Sequence, residues 1–426
     1  MTIVFIVFIF LLILGVPVGF SIGISGTMFF FQNMDLPTTT IVQLPISLTQ
    51  NVSLLAVPLF IFAGFLMNAS GITDRLIKLS MLLVGHMAGG MAQVSVVLST
   101  LMGGCSGSSN ADAAMESRIL GPEMLKQGYP RGYAAVVIGF TSLITSTMPP
   151  GVGLIMYGTV GEVSIGRLFA AGLTSALIMM ACLMILVAIT SRMRNLGSSQ
   201  AKKPPLKEIL TALKESIWAI CFPFVLIGSL RLGLFTPSEV GAFACVYALI
   251  CGFFVYKEMT IKTFWTTLKD SVGDIGGIMF MISMAGIFGY GIPLERIPQK
   301  LTVFLTSLTS SPAMTMAMII ILLVIFGMFM EGAVIIILLT PILLPVVKSV
   351  GFDPVLFGII MSIVVTMGIL TPPVGVAMYI VTGILDVPLI DYLKEVPPFL
   401  FVILFVLFLI ILMPNIILFL PNLLYG

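Results

Sequence analysis

The sequence predicts an all-α integral membrane protein made of two inverted-topology repeats, each with a re-entrant hairpin and a discontinuous helix. Three observations lead there. First, 59% of the 426 residues are hydrophobic and 9% charged, with a mean hydropathy of +1.18, a composition suited to a bilayer. Second, one unusual string occurs twice inside apolar runs long enough to span. It reads Thr147-Met148-Pro149-Pro150-Gly151-Val152-Gly153 and then Leu370-Thr371-Pro372-Pro373-Val374-Gly375. Third, the chain matches itself at one shift. Gly104 falls on Gly327, Pro122 on Pro345, Gly128 on Gly351 and Pro149 on Pro372, all at 223 (327 − 104, 345 − 122, 351 − 128, 372 − 149).

Residues 1–195 form the first repeat, 196–216 a cytoplasmic linker and 217–426 the second repeat. Each opens with two helices, about 3–14 and 16–32, then about 217–232 and 238–256. Met1 to Leu14 lacks a basic leader, so it reads as a membrane helix rather than a cleaved signal. Amphipathic stretches follow (about 35–50; 257–272), then a third helix (about 52–70; 274–292) and a second interfacial stretch (about 71–90; 293–310). Glycine-rich hairpins come next, about 92–127 and 313–349, too interrupted to span and so entering and returning on one side. The discontinuous helices occupy about 131–160 and 354–385, and last helices about 167–192 and 397–417. Five crossings per half is an odd number, which turns the second half upside-down.

The charges give an independent reading. With 192–214 cytoplasmic, the inside carries Arg75, Lys78, Arg118, Lys126, Arg131, Arg192, Arg194, Lys202, Lys203, Lys207, Lys214, Lys257, Lys262, Lys269 and Lys394. The outside carries Arg167, Arg231, Arg296, Lys300 and Lys348, which is 15 against 5. That bias is the one expected of a bacterial inner membrane protein, and it leaves both termini periplasmic. Trp218 and Trp265 lie beside the cytoplasmic loops, where aromatic anchors sit.

Several function classes fall away. No basic patch extends beyond short loops, so nucleic acid is excluded. Cys105, Cys182, Cys221, Cys245 and Cys251 lack metal-ligand spacing, and the single histidine, His86, argues against zinc. No organic cofactor is implied. There is no Walker A string, so no ATP chemistry either.

The breaks carry the chemistry. A double proline removes two donors and clashes with the carbonyls four residues back, leaving those of Thr145, Ser146, Gly368 and Ile369 without helical partners. At membrane depth such groups are tolerated where they line a polar cavity or hold a cation, which is the pattern of a secondary transporter. The first hairpin tip, Gly103 to Asp112, adds a helix start: Ser109 or Asn110 caps a helix restarting at Ala111. Helix N-termini attract anions and orphan carbonyls attract cations, so a carboxylate and a sodium ion share one volume. The expected ion ligands are Gly103, Ser106, Thr145, Ser146, Gly327, Gly332, Thr366, Gly368, Ile369 and Thr371. The expected substrate contacts are Ser108, Ser109, Asn110, Asp112, Pro149, Pro150, Gly151, Gly153, Pro372, Pro373 and Gly375. The plainer reading of the glycines is close helix packing, and that of Asp112 is local amide capping. Glu331, in place of Ser108 at the second tip, serves either ion coupling or hairpin structure. No Lys or Arg lies in this set, which together with the two acids argues against a polyanionic substrate.

These residues resemble the large membrane subunit (DctM-like) of tripartite ATP-independent periplasmic (TRAP) transporters over essentially the whole chain. Gly103-Gly104-Cys105-Ser106-Gly107-Ser108-Ser109-Asn110-Ala111-Asp112-Ala113, the diproline breaks and Gly332 through Pro345 carry the likeness. The resemblance implies an elevator-type, sodium-driven importer of organic acids, of the sialic acid or C4-dicarboxylate class. It implies two partners: a small membrane subunit of about four helices, here expected as a separate polypeptide, and a periplasmic binding protein. Competing readings are a sodium/dicarboxylate-type symporter or antiporter without a binding protein, a channel, and a rhomboid-like serine protease using Gly104-Cys105-Ser106-Gly107. The protease needs a histidine beside Ser106, and only His86 is on offer.

Overall fold

The computed structural model describes residues 1–50, 52–199, 203–309, 311–372 and 374–426, which among themselves form helices and no strand. In the first half the order is α1 (Thr2–Ile13), α2 (Val18–Gln32), α3 (Thr39–Thr49), α4 (Ala56–Ala69) and α5 (Ile72–Val84). The hairpin α6 (Gly90–Ser106) and α7 (Ser109–Lys126) follows, then the broken pair α8 (Arg131–Thr147) and α9 (Val152–Val160), and α10 (Ile165–Met193). The second half runs α11 (Leu206–Arg231), α12 (Pro237–Ile250), α13 (Ile261–Leu294) and α14 (Ile297–Leu308). Its hairpin is α15 (Pro312–Phe329) and α16 (Gly332–Ser349), its broken pair α17 (Pro354–Gly368) and α18 (Val376–Ile384), and α19 (Leu389–Leu412) and α20 (Pro414–Tyr425) end it. Among the described residues seven helices are long and apolar enough to cross a membrane, or up to nine if α4–α5, bent by 69°, and α8–α9, bent by 42°, each count as one span.

Three boundaries differ from the sequence expectation, each for a local reason. The linker placed at 196–216 is shorter, because α11 already starts at Leu206, directly after Pro204-Pro205. Proline is well placed at a helix start, and nothing breaks the run that follows. The amphipathic stretch and third helix of the second half fuse into one 34-residue helix, α13, which meets no proline until Pro293. The first half keeps them apart, with Pro45 inside α3, Pro58 in the first turn of α4 and the 3₁₀ turn Val52–Leu55 between them. The final helix, expected at 397–417, divides at Met413, which a following Pro414 keeps out of the helical region (φ −124, ψ 58).

In α8 and α17 every residue after the first is buried. Helices apolar on all sides belong at the centre of a large assembly. Around them lie the largest enclosed side chains, Tyr133, Phe140, Phe169, Phe357, Tyr392 and Phe399. The Phe140 and Phe399 rings are 5.7 Å apart and those of Tyr157 and Phe357 6.0 Å, contacts contributing about 0.5–1.5 kcal/mol each beyond burial. The first break, Met148 to Gly151, is therefore enclosed by protein, as backbone solvation demands, whereas at the second Val374 is 41% exposed.

Packing between the halves is reciprocal. Helix α4 lies on α12 and α13 on α2; α9 lies on α16 and α18 on α7. The base of the first hairpin meets the end of the second broken helix, where Arg131 donates to the Asp386 carbonyl at 3.2 Å. The base of the second hairpin meets the end of the first broken helix, where Tyr157 donates to the Pro354 carbonyl at 2.7 Å. Ion pairs keep to the two expected faces. Arg75–Glu258, Lys78–Glu215, Arg131–Asp386 and Arg194–Glu395 join segments assigned inside, whereas Lys300–Glu295 joins segments assigned outside.

Candidate functional site

Each hairpin tip is stitched to the break of its own half by backbone. In the first half, α8 ends at Thr147 and the Val152 amide, starting α9, donates to the Gly107 carbonyl at 3.2 Å. In the second, the Val374 and Gly375 amides both donate to the Met328 carbonyl at 3.2 Å. The close approach needs glycine. A Cβ on Gly327 would stand 2.9 Å from the Gly368 Cα, and one on Gly103 2.6 Å from the Met148 Cβ. Gly107, at φ +61, presents its bare face to the Pro150 carbonyl.

The start of α7 differs from expectation. Ser108, not Ser109 or Asn110, is the cap: it is extended (φ −121, ψ 112), its hydroxyl accepts from the Ala111 amide at 3.5 Å, and the helix begins at Ser109. The reason is Gly107, whose left-handed turn leaves the next residue extended, the geometry a cap requires.

Three of the four carbonyls expected to be orphaned have partners. Ser146 O accepts from the Ser362 hydroxyl at 3.1 Å, across the two halves. Gly368 O accepts from the Thr371 hydroxyl at 2.8 Å, and Ile369 O from the Ala377 amide at 3.0 Å. The deficit at the tip lies instead in side chains. Ser106 Oγ, Asn110 Oδ1 and Asp112 Oδ1 are buried with no hydrogen-bond partner among the described residues.

A cavity of about 570 Å³ opens where both tips and both breaks converge. Of the expected site residues, Ser106, Ser108, Ser109, Asn110, Ser146, Gly153, Gly332, Thr366 and Ile369 line it. The others surround it or lie apart. Gly103, Gly327 and Gly368 form the close backbone contacts, and Pro149, Pro150, Gly151 and Gly375 build the turns. Thr371 and Pro372 face a separate apolar pocket with Met328 and Leu393. Pro373 lies outside the described residues. Asp112 is away from the cavity wall, 1% exposed, its Oδ2 accepting from the Thr145 hydroxyl at 2.7 Å. One turn on, Glu116 is fully buried and accepts from Ser95 at 2.5 Å and Ser99 at 2.7 Å. A carboxylate at such depth persists only with donors supplied this way, so these hydroxyls fasten α7 to α6 and α8.

Sequence reasoning missed two whole walls: Ile61, Gly64, Phe65 and Asn68 on α4, and Gly273, Asp274, Gly277, Ile278 and Met281 on α13. Asp274 was hidden by the boundary drawn there, since an acid at a helix end attracts no notice while one mid-helix does. Glu331, considered for ion coupling, also lines the cavity and stands at the N-cap position of α16. The protease geometry fails. His86 precedes α6 and Ser106 ends it, so a 17-residue helix separates them by about 25 Å along its axis.

Residues 5–416 match the family described as tripartite ATP-independent periplasmic transporter, DctM component. The chain is 33% identical to the sialic acid TRAP transporter large permease of Vibrio cholerae, over 98% of this chain and 97% of that one. It is 32% identical to the 2,3-diketo-L-gulonate TRAP transporter large permease of Escherichia coli, over 94% of each. Among solved structures, the YdaH transporter of Alcanivorax borkumensis aligns with a TM-score of 0.61 over 87% of each chain at 13% identity, a likeness of fold. The chain thus belongs to the DctM family of TRAP transporter large permeases, multi-pass membrane transport subunits and not enzymes.

Proposed function

We propose that this subunit takes up an organic acid anion, of the sialic acid or C4-dicarboxylate class, driven by sodium across the bacterial inner membrane. A periplasmic binding protein delivers the acid, and a separate small membrane subunit of about four helices completes the complex. The observation that carries the reading is the cavity at the junction of two hairpin tips and two helix breaks, edged by partnerless oxygens. Ser106 Oγ and Asn110 Oδ1 are hard ligands of the type sodium accepts, and the first amides of α7 face the same space. Sodium binds first and orders the tip, after which the acid's carboxylate settles on the α7 N-terminus. The two repeats are inverted, and the reciprocal packing supports this. Transport proceeds by an elevator movement of hairpins and broken helices against a scaffold of α1, α2, α11, α12 and the amphipathic stretches. Both termini are periplasmic.

The test is uptake of labelled acid into proteoliposomes holding this chain with its small subunit, varying the sodium gradient and the binding protein. Uptake is expected to require both. Uptake that persists without a sodium gradient rejects the coupling, and uptake without a binding protein makes the chain a two-component or simple symporter.

A further inference from the structure

We propose that Asp274 and Glu331 form an acceptor wall that selects a polyhydroxylated monocarboxylate, such as a sugar acid, over a dicarboxylate. This deepens the reading above and rests on it. The cavity is chemically lopsided. The first hairpin tip brings, beside the oxygens assigned above to sodium, the amides that open α7 and suit an anion. The second tip brings Glu331, and the middle of α13 brings Asp274, both lining the same cavity. Neither carboxylate makes a hydrogen bond or ion pair among the described residues, and no Lys, Arg or His lines the space. Asp274 is also reachable, because Gly273 and Gly277 on either side of it leave more than 4 Å open where a side chain would start.

A ligand in this space docks its carboxylate on the donor end and presents the rest of itself to two anions. A second carboxylate there meets like charge. Hydroxyl groups instead donate to both acids, and hydrogen bonds to charged acceptors are the strong ones. Size agrees, since about 570 Å³ lies within the range of about 300–1,000 Å³ that encloses ligands far larger than a four-carbon acid.

The experiment measures thermal stabilisation of the purified complex with its small subunit, in sodium chloride, by gluconate and by succinate. Wild type is expected to bind gluconate at least about tenfold more tightly than succinate. Asp274→Asn and, independently, Glu331→Gln are each expected to shrink that preference about tenfold. Two results overturn the assignment: succinate binding as tightly as gluconate to wild type, or both variants losing sodium affinity with the acid preference unmoved. Binding of neither acid in sodium, by wild type, instead overturns the organic-acid reading beneath it.

Discussion

Gly107 turns the first hairpin tip with a left-handed backbone while the Pro150 carbonyl presses on its bare face. Alanine there faces two penalties: about 1–2 kcal/mol for the left-handed conformation, and about 1–3 kcal/mol for forcing a methyl into a packed contact. Gly107→Ala should therefore lower the melting temperature of the purified protein and weaken sodium-dependent stabilisation. An unchanged melt and an unchanged sodium response would mean the tip is not held by the break. Much of this residue scale was legible from the sequence. Glycines and small polar groups at bilayer depth have few uses, and nine of the expected positions line the cavity. Partner assignment was not legible. That the Ser362 hydroxyl covers the Ser146 carbonyl depends on two residues 216 positions apart meeting across the halves, and no spacing rule encodes that. Asp112 shows the same limit, turning to Thr145 and not to the cavity.

Among the elements, the α4–α5 bend of 69° carries a polar pin beside the packing of α5 on α6 and α11. Arg75 lies 2.7 Å from Glu258, donates to the Gly71 carbonyl at 2.6 Å and stacks 4.1 Å over Tyr256, which follows the π turn Cys251–Val255 after α12. Both side chains of the ion pair are partly exposed, so that pair contributes below about 1 kcal/mol, and the ring contact about 0.5–1 kcal/mol. A double-mutant cycle with Arg75→Ala and Glu258→Ala should return a coupling of less than about 1 kcal/mol in the melt, with Arg75→Ala alone costing more than Glu258→Ala. Equal costs would remove Tyr256 from the pin. Helix positions here follow breakers the sequence displays, such as Pro17 before α2, Pro130 before α8 and Pro354 opening α17. In α13 the stretch expected at about 257–272 and the helix expected at about 274–292 form one element. Without a proline or an αL glycine to stop it, the helix simply continues through Asp274.

For the whole molecule, one cavity gathers two tips and two breaks, an arrangement that a duplicated chain would produce. Each half supplies a hairpin and a broken helix, and reciprocal packing brings the pairs together around α8 and α17. The shift of 223 that aligns the breaks was visible in the sequence, but α4 and α13 closing the cavity from the side was not. Their contribution arises only when each crosses to pack on the opposite half. The proposed function places sodium at the partnerless oxygens of the first tip. The most direct measurement is the melting temperature of the purified protein titrated with sodium chloride against potassium chloride, for wild type and for Ser106→Ala and Asn110→Ala. Sodium held there gives a saturable, sodium-only rise, growing as RT ln(1 + [Na⁺]/Kd) and moving to about tenfold higher sodium in either variant. An equal rise in potassium, or a sodium response that both variants retain in full, would contradict it.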